Sequence, residues 1–271
     1  THNGLFLQDD TGKFTPVPGM TGQHWSLLPL SKSILAASEM GVIEITPGTV
    51  INRIKRKTGK RGNKIESNHV KHVLNLTAFV LQKSKTFPGS VWAGGTFGLG
   101  ILFKQENGEW EHRIFHNISK RIYSIVETPE QELWLGTLDS GVIKVDVHRN
   151  KQNPMVTITR YGKSHGLPGG EITVTSAAEH IMFCTPSGLL RFDAAANRFI
   201  PDSTLGDRFA GGENGEGVFR LTQCKDGNIF FHSHFRNYCA VPEPGQGSPS
   251  GYRIDPVPFL RLMPEQANVL Y

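Results

Sequence analysis

The sequence predicts an all-β chain: a β-propeller of four-stranded antiparallel blades, with five whole units and two partial ones, closing as six or seven blades. Three observations predict it. First, residues 133–146, LWLGTLDSGVIKVD, read as two short strands around a polar turn. An apolar run is followed by small and polar residues, a glycine, and β-branched residues interleaved with Lys144 and Asp146, which is the hairpin signal. Second, the pattern recurs at 34–45 (ILAASEMGVIEI), 91–103 (VWAGGTFGLGILF) and 181–193 (IMFCTPSGLLRFD), in worn form at 229–241 (IFFHSHFRNYCAV) and in part at 1–7 (THNGLFL). Third, the residues that restart each copy, Gly4, Gly41, Gly98, Gly141, Gly188 and Asn237, stand 37, 57, 43, 47 and 49 residues apart. Most of these intervals fall near the roughly 40–50 residues of one four-stranded blade.

With the strands of a unit named A to D from the inside outward, each element is an apolar or β-branched run bounded by turn residues. Residues 1–17 give C and D of a unit whose A and B are missing, turned by Asp10-Thr11-Gly12. The second unit has A at 25–30, B at 34–37 and C at 42–45, then Pro47-Gly48 turning into 50–54. The third opens at His69, with A inside 70–80, a long connection over 83–90, B at 91–93, C at 99–103 and D at 110–115. The fourth places A at 123–126, B and C in 133–146 and D at 155–161. The fifth follows Leu167-Pro168-Gly169-Gly170 with strands at 172–175, 181–184, 188–192 and 198–200. The sixth has 218–222, 229–231, 238–241 and 252–254, and 264–271 (PEQANVLY) reads as the start of one more unit. No helix is signalled. An open blade exposes an unpaired edge, so the terminal A strand is expected beside the N-terminal pair. Residues 1–271 are thus read as a single propeller domain, an incomplete piece of a longer protein.

The copies resemble the two-component regulator propeller repeat, whose blade runs from a leucine-proline start to W-x-G-T-x-x-G-L and an aromatic-acidic end. Trp134, Gly136, Thr137 and Gly141 fit that pattern, as do Leu167-Pro168 and Gly188-Leu189-Leu190-Arg191-Phe192-Asp193. Phe183-Cys184-Thr185 replaces W-x-G-T in the fifth unit, and His232 and Ser233 stand at the Gly-Thr positions of the sixth. The resemblance implies a non-enzymatic, ligand-sensing module of a bacterial signal-transduction receptor. That implies a periplasmic or extracellular location, signalling domains outside this chain as partners, a homodimer formed through the full-length receptor, and a carbohydrate or other small polar ligand. The alternatives are a metal-assisted propeller lyase or hydrolase, and a protein-interaction scaffold.

Composition narrows the classes. Taking the seven cations of residues 53–64, RIKRKTGKRGNK, from the net charge of +5 leaves −2 for the rest. The chain is therefore not uniformly basic, the segment reads as a solvated loop, and nucleic acid is not an expected partner. No run approaches the ~18 apolar residues of a membrane span. Three cysteines, Cys184, Cys224 and Cys239, are no disulfide framework, though a bridge between two of them stays open. Phosphate-loop, dinucleotide-binding and Gly-x-Ser-x-Gly patterns are absent from the sequence, and no cofactor is expected.

In a propeller the B–C and D–A connections lie on one face, and loops on a rigid scaffold are where function sits. The candidate ligand-binding residues there are His24, Glu39, Phe97, Arg121, Asp139, Glu171, His234, Phe235 and Arg236. They supply both charges and an aromatic surface, which suits a polyhydroxylated ligand. His232 and His234, two apart on a strand, point to the same side. Without a third ligand motif they are read as structural or ligand-contacting rather than as a metal or catalytic pair. Trp92 and Trp134, at one strand position in adjacent units, are read as packing between blades.

Overall fold

The computed structural model describes residues 4–8, 11–46, 69–139, 141–148, 155–234, 236–243 and 251–255. Apart from one turn of 3-10 helix, Lys163–His165, every regular element among them is a strand. The first two, β1 (Phe6–Gln8) and β2 (Phe14–Pro16), form an antiparallel pair. Five four-stranded antiparallel meanders follow, each with its strands in chain order. The first holds β3 (His24–Pro29), β4 (Ile34–Ser38), β5 (Gly41–Thr46) and β6 (His69–Leu74). The second holds β7 (Ala78–Lys83), β8 (Ser90–Gly95), β9 (Gly98–Lys104) and β10 (Trp110–Ile114). The third is β11 (Ile122–Glu127), β12 (Glu132–Thr137), β13 (Val142–His148) and β14 (Met155–Tyr161). The fourth is β15 (Thr173–Ala177), β16 (His180–Thr185), β17 (Gly188–Asp193) and β18 (Arg198–Pro201). The fifth is β19 (Val218–Gln223), β20 (Ile229–Ser233), β21 (Arg236–Pro242) and β22 (Tyr252–Asp255). These are propeller blades. They fall into two compact units, residues 1–83 with 89–119, and residues 84–88 with 120–271.

The restarting glycines have a steric cause. Gly41, Gly98, Gly141 and Gly188 adopt φ of 119°, 92°, 78° and 108°, where side chains are strained. Each backbone also lies against a carbonyl of the chain leaving its own blade: a Cβ on Gly98 would sit 1.5 Å from the Ile118 oxygen, and one on Gly41 1.8 Å from that of Leu74. The residue that precedes the turn fastens it. Ser38 Oγ, Thr137 Oγ1 and Thr185 Oγ1 donate to the carbonyls of Gly41, Gly141 and Gly188 at 3.0, 2.7 and 2.6 Å.

Burial follows the meanders. Trp134 is 4% exposed. It stacks on Tyr161 at 5.7 Å and meets Phe183 edge-on at 5.3 Å, in a core that also takes Ile172, Val174 and Phe199. It therefore fills the space between the third and fourth meanders. Inner strands are stitched side by side, with the Val174 amide donating to Ser124 Oγ at 2.8 Å and Thr175 Oγ1 to the Leu221 carbonyl at 3.2 Å. Buried acids tie down loops. Glu127, wholly buried, accepts from Ser84 Oγ and the amides of Lys85 and Thr86 at 3.1, 2.5 and 3.0 Å, so it holds the start of the β7–β8 connection.

Two details differ from the sequence reading. The fourth strand of the first meander is β6, His69–Leu74, paired with β5 from Val42 to Thr46. The residues expected there, 50–54, lie outside the described residues, as does 53–64. Thus 47–68 joins β5 to β6 inside one blade, and the next blade opens at Ala78. In the last meander the position facing the pre-turn residue is Arg236, opposite Ser233, just as Gly188 faces Thr185. The residue in the glycine's place is therefore Arg236, not Asn237. The cysteines are free, Cys184 and Cys239 buried and Cys224 exposed. Burial pushes the Cys184 thiol up to about 12, so it behaves as a small hydrophobe. Residues 264–271 lie outside the described residues.

Candidate functional site

Three of the expected site residues belong to the first unit. His24 opens β3 and is 4% exposed. Its Nδ1–H donates to the Gly22 carbonyl at 3.2 Å, and burial holds its pKa below the ordinary value. Glu39 is exposed on the β4–β5 turn, where its carbonyl accepts from Thr77 Oγ1 at 3.0 Å. Phe97, on the β8–β9 turn, packs half-buried against the core of that unit, over Gly95 and Gly100. It acts there as a cover for two glycines.

The rest belong to the second unit. Arg121 and Asp139 are exposed, ahead of β11 and on the β12–β13 turn. His234 and Arg236 are exposed on the β20–β21 turn, and Phe235 between them lies outside the described residues. Their turn is built differently from its counterparts. His234 takes φ of 50°, a left-handed value that histidine tolerates better than most residues, and Ser233 Oγ is buried with no hydrogen-bond partner among the described residues. Glu216 lies within the electrostatic reach of the His234 and Arg236 side chains. Its pKa is held down first by the hydrogen bonds of Arg208, then by the charges of Arg208, His234 and Arg236. Arg208 forks onto it through Nε and Nη2 at 2.6 and 3.0 Å and donates to the Tyr238 hydroxyl at 2.9 Å. The rings of His232 and His234 lie 6.2 and 6.4 Å from that of Phe219, so the two histidines share a side, and His232 Nδ1 sits 3.0 Å from Asn237 Oδ1. Among the described residues no three His, Cys, Asp or Glu side chains gather as a metal site.

Glu171 is the expected residue that lines a pocket. A cavity of about 210 Å³ runs along the inner strands β11, β15 and β19, and Glu171 shares it with Tyr123, Thr173, Thr175, Arg220 and Phe230. Tyr123, the two threonines and Arg220 escaped the sequence reading, which looked to loops. A signal for them existed. Thr173 and Thr175, like Arg220 and Thr222, stand two apart on innermost strands, so they face the same side.

A larger cleft, about 610 Å³, opens beside Trp134, Phe183 and Phe192. His180 and Asp202 lie on it. The Nε2–H of His180 donates to Asp202 Oδ2 at 2.7 Å and its Nδ1–H to the Ala178 carbonyl at 2.9 Å. A carboxylate and a carbonyl only accept, so the protonated ring satisfies both contacts at once. The Asp202 hydrogen bond, foremost, raises its pKa. Burial works to raise Asp202, but its bonds to His180 and Thr204 outweigh that and hold it below the ordinary carboxylate value. With both nitrogens engaged by acceptors of the chain, this ring is placed to hold Asp202 and not to act as a general base on a ligand.

Blades of this kind, joined through pockets on their inner strands and clefts between them, define a β-propeller. No protein-family model and no curated protein matches the chain by sequence. Solved structures do match it in fold. The extracellular domain assigned to a hybrid two-component system of B. thetaiotaomicron superposes with a TM-score of 0.60 at 15% identity, over 88% of this chain and 31% of that one. Virginiamycin B lyase from Staphylococcus aureus gives 0.51 at 11% identity, over 86% and 68%. PorZ, a surface component of the type-IX secretion system of Porphyromonas gingivalis, gives 0.52 at 11%, over 94% and 36%. The chain thus spans about a third of the length of the two-component domain, and its fold is the one that the repeat resemblance implied.

Proposed function

We propose that this chain is a non-enzymatic ligand-sensing propeller module of a bacterial signalling receptor, and that its ligand is a small polar molecule, a carbohydrate foremost. In this reading residues 1–271 are one domain of a longer, extracytoplasmic sensor, whose signalling domains lie elsewhere in the polypeptide. The observation that carries it is the inner-strand pocket. Glu171 and Arg220 both line it, and neither takes part in an ion pair among the described residues, so an acceptor and a forked donor face one space with threonine hydroxyls and the faces of Tyr123 and Phe230. Hydroxyl groups on a flat ring need that combination. The volume lies under the roughly 300–1,000 Å³ of drug-sized pockets, which favours a monosaccharide-sized ligand. The fold likeness to a two-component extracellular domain supports the reading, and the commitment of both His180 nitrogens argues against a His–Asp general base. Calorimetry of the chain against a panel of neutral and acidic sugars tests it. Saturable binding is expected, weakened at least tenfold by Glu171→Gln with Arg220→Met. Failure of the whole panel, or a double variant that binds as tightly as the parent, overturns the assignment.

A further inference from the structure

The cleft between the third and fourth meanders shares no residue with the inner-strand pocket and has a chemistry of its own. We propose that it is a second binding site, selective for a small anion with a flat apolar body, that is, an aromatic carboxylate. Its volume of about 610 Å³ lies within the range of small-molecule sites. One side is apolar: Phe192, half-buried, stands 5.0 Å from Trp134, ring to ring, and is backed by the packed Trp134 and Phe183. A ring held in this way gives a flat ligand a stacking face at little ordering cost.

The polar residues of the lining set the charge. Asp202 is spoken for at both oxygens, Oδ2 by His180 at 2.7 Å and Oδ1 by the amide and hydroxyl of Thr204 at 2.9 and 2.6 Å. His180, when protonated, offsets the Asp202 charge across 2.7 Å, and Asp202 has no oxygen left for a ligand. Arg191 then remains as the uncompensated charge of the cleft; it is exposed and lines the space, and takes part in no ion pair among the described residues. A guanidinium free to fork recognises a carboxylate in bidentate fashion. Ser203 adds a hydroxyl at the same rim. A cationic ligand meets Arg191 with no free acid to answer it, and an uncharged aromatic leaves Arg191 unused. An aromatic acid satisfies both at once.

The test is titration of the intact chain with indole-3-acetate, followed by calorimetry and by amide chemical shifts, with indole and acetate as controls. Saturable binding of indole-3-acetate is expected, at least tenfold tighter than either control, with shifts centred on Phe192 and Thr204. Arg191→Met, a change at an exposed position, should weaken it at least tenfold, and Ser203→Trp should abolish it by filling the cleft, while Arg220→Met leaves it unchanged. The proposal is overturned by the absence of saturable binding, by an Arg191→Met protein of unchanged affinity, or by a loss on Arg220→Met, which would place the ligand in the inner-strand pocket. Sugar binding in the first pocket is independent of all three outcomes.

Discussion

At the scale of the residue, single atoms set the repeat. Gly98 is surrounded so closely that an added methyl must displace the Ile118 carbonyl, and its φ of 92° is itself costly for any side chain. Gly98→Ala is expected to destabilise by more than about 2 kcal/mol, left-handed strain accounting for ~1–3 and the carbonyl clash adding to it; a urea-denaturation loss below about 0.5 kcal/mol would contradict this. The His180–Asp202 pair makes a prediction in pH. His180 has a folded-state pKa above its ordinary 6.5, so its stabilising contribution is complete below 6.5 and fades as pH rises through the raised value. Asp202 has a folded-state pKa below its ordinary 3.8, so its contribution is complete above 3.8 and fades as pH falls through the lowered value. The melting-temperature gap between the parent and Asp202→Asn should therefore be widest between these limits and narrow on both sides. A gap that stays constant from about pH 3 to pH 9 rules the pair out as a titrating contributor.

At the scale of the element, the turn between the second and third strands is fastened by one hydroxyl in the blades of β3, β11 and β15. Thr185→Ala removes its bond to the Gly188 carbonyl and should cost about 0.5–1.5 kcal/mol. Ser233→Ala removes a buried hydroxyl that bonds to nothing among the described residues, so it should be neutral or slightly stabilising. Equal losses in thermal denaturation would show that the last turn is fastened like the others. The comparison also explains what could be read from sequence. Strands β8 to β19 were legible because apolar runs alternate with Gly, Pro and Asp-containing turns, and the hairpin glycines are forced by sterics. The placement of β6 was not. His69–Leu74 reads HVKHVL, a strand that keeps its lysine and His72 outside, while 50–54 offers a stronger β-branched run. Pairing with β5 decided the matter, and pairing is a tertiary fact. The last hairpin was misaligned by one residue because no glycine marks it. Among the described residues, Glu171 is the expected ligand residue that lines a pocket. Both pockets draw walls from strands some 40–50 residues apart, a juxtaposition that loop composition does not encode.

At the scale of the whole molecule, the blades reuse one plan with unequal connections. Between the third and fourth strands the chain spends five residues in the blade of β7 to β10, 105–109, and four in that of β15 to β18, 194–197, but 22 in the blade of β3 to β6, 47–68. The register from Val42 to Thr46 against β6 is nevertheless kept, with one irregularity at Val42. Closing 22 residues instead of five costs only about 1.3 kcal/mol if the loop is flexible, because closure entropy grows with the logarithm of length. That edge of the blade is therefore a natural socket for foreign sequence. Lengthening the 47–68 connection by ten glycine and serine residues should lower stability by only about 0.3 kcal/mol on the same scaling, and a drop in thermal stability several times larger would show that native residues there are anchored. A tag or an epitope grafted at this point adds only to a connection whose closure cost grows with the logarithm of its length. Length in this one connection is thus a quantity that can be changed almost independently of the strands it joins.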